Sequence, residues 1–82
     1  MDYDEFANFV TQAMEAVKQP NCPVPFRLRT IRLKNQLLFN AIGIFAGRVS
    51  DAQMRTYSNM QKTYATLNNI PMYRNYLVVD TE

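Results

Sequence analysis

The chain has 82 residues, a net charge of +2, a single cysteine, and neither histidine nor tryptophan. That length suits one domain with a small core, and 48% apolar against 20% charged residues marks a globular chain, not a disordered one. Cys22 has no partner for an internal disulfide, and without histidine neither the usual zinc sites nor a histidine-based triad can be assembled.

The first predicted element is a helix over about 3–18. Asp2 is placed to cap it, and Glu5 completes an aspartate form of the capping box. Asp4 and Glu5 in the first turn and Lys18 in the last suit the helix dipole. Phe6, Phe9, Val10, Ala13, Met14 and Val17 recur at spacings of three and four, which makes one apolar stripe. The segment 19–25 holds Pro20, Pro23 and Pro25. Each lacks an N–H and pushes its predecessor out of helical geometry, so an extended connector is expected. Pro25 also suits the first turn of a following helix.

A second helix is expected over about 26–48. Its first half mixes Leu28, Ile31 and Leu33 with basic residues, and its second half, from Leu37 to Ala46, is apolar almost all round. A helix without a polar face needs cover on several sides, and so small a domain can hardly supply it. Self-association through Leu38, Ile42, Gly43, Ile44 and Phe45 follows as an expectation. Gly43 and Gly47 share a face and allow close approach of a neighbouring backbone; alternatively Gly47 ends the helix in a left-handed cap.

The third helix, about 51–68, has the clearest signals. Ser50 and Gln53 form a capping box, Met54, Tyr57, Met60, Tyr64 and Leu67 line one face, and Asn68-Asn69 is a good stop. Arg55, Ser58, Gln61 and Lys62 are read as solvent-facing. Residues 70–82 read as a short helical turn after Pro71 followed by an extended tail, in which Tyr73 and Tyr76 are interface candidates. No internal repeat is visible. The expected fold is all-α: a small three-helix bundle built on an antiparallel hairpin of the second and third helices.

Charge is unevenly placed. Asp2, Asp4, Glu5 and Glu15 make the first helix acidic, whereas Arg27, Arg29, Arg32, Lys34 and Arg48 make the middle basic. Arg27, Arg29, Arg32 and Lys34, with Gln36 beside them, would form two basic ridges at the start of the second helix and bind an anionic partner. The alternative is that they pair with the acidic first helix. Catalysis finds no constellation: the acids are dispersed, Asp4 and Glu5 belong to a helix start, and Cys22 lacks a base. No metal or cofactor is expected.

The acidic N-terminal residues are unlike a secretory signal, and the longest apolar run is too short to span a bilayer and contains Asn40. An intracellular, cytoplasmic protein without a membrane partner is expected. The functional expectation is a non-enzymatic interaction protein, a homo-oligomeric adaptor, inhibitor or assembly subunit that binds another protein, of a size that suits a phage or mobile-element origin. Two alternatives stand beside it: a nucleic-acid- or nucleotide-binding helical dimer that uses the basic cluster with Arg55 and Lys62, and a structural subunit of a larger particle.

Overall fold

The computed structural model describes residues 1–81. In chain order the elements are α1 (Tyr3–Ala16), α2 (Val24–Arg27), β1 (Thr30–Leu33), β2 (Gln36–Phe39), α3 (Ile42–Phe45), α4 (Asp51–Leu67), β3 (Met72–Tyr73) and β4 (Tyr76–Thr81). The strands form one antiparallel sheet in the order β1-β2-β4-β3. The expected all-α bundle is therefore wrong, and the fold is mixed α/β.

The error lies in two places. In residues 26–48 the expected second helix is replaced by a helical turn, a β-hairpin and a second helical turn, and the helical turn expected after Pro71 is instead strand β3, which pairs with β4 in a second hairpin. Leu33 pairs with Gln36, so Lys34 and Asn35 form a two-residue hairpin turn, with Lys34 at φ 54°. Tyr73 pairs with Tyr76 in the same way around Arg74-Asn75, with Arg74 at φ 55°. A basic residue followed by asparagine thus turns the chain twice. The molecule is two halves, each a long helix followed by a hairpin, joined where β2 pairs with β4 at the centre of the sheet. This repeat is topological and has almost no trace in residue identity.

The long helices cover one face of the sheet. Phe6, Val10 and Ala13 of α1 and Tyr57, Tyr64 and Ala65 of α4 meet Leu37, Phe39, Leu77 and Val79 of the central strands. Ring contacts run from Phe39 through Phe26, Phe9, Phe45 and Tyr57 to Phe6, which ties the short α2 and α3 turns to the core. The Thr11 and Tyr64 hydroxyls meet at 2.9 Å between α1 and α4.

The ends of the long helices are built from local chemistry. The Glu5 N–H donates to the Asp2 carboxylate at 2.9 Å, and Ser50 and Gln53 make the reciprocal capping box. α4 closes with Asn69 at φ 53°, while the Ile70 N–H donates to the Ala65 carbonyl and the Asn69 N–H to that of Thr66. This is the left-handed Schellman ending that Asn68-Asn69 suggests.

Gln61, expected on the solvent side, is 1% exposed. Its Oε1 accepts from the Ala41 N–H at 3.0 Å and its Nε2 donates to the Asn75 carbonyl at 2.8 Å. One side chain thereby fastens α4 to the end of the first hairpin and to the turn of the second.

Two stability outcomes follow. Gln61→Leu strands a buried N–H and a partly buried carbonyl, so denaturant unfolding should show a loss of about 2–3 kcal/mol. Gln61→Glu keeps the acceptor, but its ionised form has no proton for the Asn75 carbonyl. Burial raises the pKa of the new carboxyl, so its deficit should be smallest in mildly acidic solution and grow as pH rises through that value. At Asn69 the left-handed backbone favours glycine, and Asn69→Gly should raise stability by a few tenths to about 1 kcal/mol in the same assay.

Candidate functional site

Alternation along the strands assigns each sheet residue to a face. Leu37, Phe39, Leu77 and Met72 point toward the helices. Ile31, Leu38 and Val78 form one cross-strand row on the opposite face, Leu33, Gln36 and Thr81 a second, and Tyr73 and Tyr76 a third. The β2–β4 register slips between Leu37 and Leu38, which leaves Val79 as the extra residue of a β-bulge and keeps Val78 and Thr81 on the same face. No helix covers this face.

The face is apolar at its centre. Leu38 is fully buried although it stands outside the core beneath the helices, flanked by Ile31, which is 40% exposed, and half-buried Val78. Along the same side runs a groove of about 580 Å³ lined by Leu33, Lys34, Asn35, Gln36, Tyr73 and Thr81. Tyr73 belongs to the hairpin at the diagonally opposite corner. It reaches the groove because sheet twist lifts opposite corners toward one side. Tyr73 is 40% exposed, and the Arg74 guanidinium lies 5.5 Å from the centroid of its ring. No carboxylate lines the groove among the described residues.

The residues singled out from sequence separate into different places. Arg27 donates to the Pro20 carbonyl and so braces the proline segment. Arg29 lies across α3, so close that a Cβ on Gly43 would stand 2.8 Å from its Cδ. Arg32 sits on β1 opposite Leu37, whereas Lys34 and Gln36 belong to the open-face groove. The two helical ridges therefore do not exist, because the residues that would stack them lie in a strand and a turn. Among the described residues, no ion pair joins Asp2, Asp4, Glu5 or Glu15 to Arg27, Arg29 or Lys34. Arg55 and Lys62 are exposed on α4, away from the open face.

The proposed interface along 38–45 is also redistributed. Ile42, Ile44 and Phe45 pack against the protein's own core, and Leu37 and Phe39 belong to it. The apolar run is continuous because a central strand has neighbours on both faces, so the run itself no longer calls for a second copy. Gly43 receives the Arg29 side chain, not a neighbouring helix, and Gly47 has φ 83° at the end of the α3 segment. Of that set Leu38 alone lies on the open face, with Tyr73 and Tyr76. The Cys22 thiol is buried and donates to the Pro23 carbonyl at 3.5 Å. No helix among the described residues is long and apolar enough to cross a membrane.

Sequence reasoning missed Ile31, Leu33, Asn35, Val78 and Thr81 as residues of this surface. Their signal was the alternation on either side of the two basic-asparagine turns. Compared with known protein families, with curated proteins and with solved structures, the chain matches none.

The face contains two energetic classes of residue. Tyr73→Ala removes contacts already shared with solvent and should change unfolding free energy by less than about 1 kcal/mol, whereas Leu38→Ala empties a fully buried site and should cost about 2–4 kcal/mol. Thermal and denaturant melts of the two variants check this contrast.

Proposed function

We propose that this is a non-enzymatic binding protein that holds single-stranded nucleic acid on the uncovered face of its sheet. The observation that carries this reading is the groove that joins Lys34, Asn35, Gln36 and Tyr73 without a carboxylate. Aromatic rings stack on unpaired bases of any sequence, and a guanidinium plane such as that of Arg74 extends the stacking surface. Lys34 is placed to meet a phosphate. The Asn35 and Gln36 amides offer donors and acceptors to base edges. The helices behind the sheet brace this platform.

Two cations near the groove make a weak electrostatic footprint, in keeping with the net charge of +2. Affinity should then be modest, with stacking as a large share of it. Anisotropy titration with a fluorescein-labelled mixed-sequence single strand tests the reading. Binding at low salt should weaken several-fold between about 50 and 200 mM salt, as expected for roughly two phosphate contacts. Tyr73→Ala should weaken it about tenfold. Lys34→Gln should flatten the salt slope by about one phosphate. Absence of binding at low salt, equal affinity for duplex, or indifference to Tyr73→Ala would overturn the proposal. A dimer in sedimentation that Tyr73→Ala dissolves would instead assign the face to a second copy.

A further inference from the structure

A second surface, on the α2–α3 side of the molecule, carries an inference independent of the sheet face. Val24 and Leu28 of the α2 region are 64% and 69% exposed, among the most exposed large apolar residues of the chain. They border a small, half-open cavity of about 140 Å³, lined also by Pro25, Arg29, Ile44 and Arg48. No carboxylate lines it among the described residues.

The position of Arg29 follows from the sequence. Gly43 has no side chain, and the Arg29 stem occupies the space a Cβ would need. The Arg29 carbonyl accepts from the Asn40 N–H at 3.0 Å, which fixes the backbone beneath it. Asn40 in turn receives the Ile42 and Gly43 N–H groups on its Oδ1, so the start of α3 and the root of Arg29 are held together. Less rotamer freedom remains to be lost when the guanidinium meets an anion. Arg48 supplies a second fork at the same cavity. The Gly43 that the sequence marks as a close-approach position thus places an arginine, not a neighbouring helix.

We infer that this cavity is a docking site for an acidic peptide segment of another protein. One aliphatic side chain of the segment enters between Val24, Leu28 and Ile44, and its flanking carboxylates meet Arg29 and Arg48. Charge complementarity selects the partner: guanidinium forks recognise carboxylates bidentately, and the apolar rim rewards an aliphatic anchor that a sugar-phosphate chain does not carry. The cavity has room for about one such side chain.

The probe is the peptide Glu-Glu-Leu-Glu-Glu, titrated into the isotopically labelled full chain and followed by amide chemical shifts. Saturable shifts should centre on Leu28, Arg29, Ile44 and Arg48. Replacing the peptide's leucine by serine should weaken binding about tenfold. The lysine counterpart of the peptide should not bind. The double variant R29E/R48E should abolish the shifts in a chain that is still folded, with a melting temperature lowered only by the lost packing of the Arg29 stem on Gly43. Gly43→Ala, which displaces the Arg29 stem, should weaken binding several-fold in a chain that is still folded. The inference is overturned by a flat titration, by equal binding of the lysine or serine peptide, by shifts confined to the sheet face, or by a double variant that binds as before. It is also overturned if a single-stranded oligonucleotide shifts the same residues more strongly, or if concentration alone produces the shifts and the double variant removes them. The last result would assign the cavity to a second copy.

Discussion

The architecture depends on the two hydrogen bonds of Gln61. The sheet is formed from two hairpins that come from separate halves of the chain, and α4 lies between them in sequence. Gln61 joins both from the core side: it satisfies the Ala41 N–H where β2 gives way to α3, and the Asn75 carbonyl where the second hairpin turns. The bond from Ala41 is buried and the one to Asn75 partly so, and removal of the Gln61 amide leaves the Ala41 N–H where water cannot easily reach it. An apolar residue of the same size would fill the volume and leave the Ala41 N–H and the Asn75 carbonyl without these partners.

Around that point the core is assembled largely from rings. Helical turns of four residues, such as α2 and α3, have no stability of their own because helix nucleation is unfavourable. Phe26 and Phe45 hold them by packing on Phe9, which stands between the two. Since both long helices are used on one side of the sheet, neither is left for the other side. A two-layer domain of this length exposes a sheet face as a matter of supply. What distinguishes this face is its composition: aliphatic at the centre, aromatic and cationic at two corners, and free of carboxylates along its groove.

Both long helices were legible in the sequence because their signals are local. Asp2, Ser50, Gln53 and Asn69 act within one turn of the backbone they cap, and the stripe from Phe6 to Ala13 has a single period. The region 26–48 was not legible, for two reasons. Leu37-Leu38-Phe39 is apolar on both faces, so it carries neither strand alternation nor a helical polar face. The turns lack glycine: Lys34 and Arg74 hold positive φ in places where glycine is the usual signal. Of the proposed binding surface, Lys34, Gln36, Tyr73 and Tyr76 could be named from sequence, but their grouping could not, since Lys34 and Gln36 were read onto a helix with Arg29 and Arg32, and the two tyrosines onto a separate C-terminal turn. Gln61 carried a usable clue, because it falls between Tyr57 and Tyr64 at helical spacing on the buried seam.

The pairing of β2 with β4 also bears on how the chain reaches this state. Each hairpin and each long helix closes over short stretches of sequence, and such contacts form within microseconds. The β2–β4 ladder instead joins strands separated by all of α3, α4 and β3, so its formation bears the full loop-closure entropy of that span before any contact rewards it. The docking of the two halves is therefore the step expected to set the folding rate. Until they dock, Leu37 to Phe39 and Leu77 to Val79 lie along unpaired edges. In these moments before the ladder closes, encounters between chains compete with folding, and at high concentration the central strands are where a foreign edge would add.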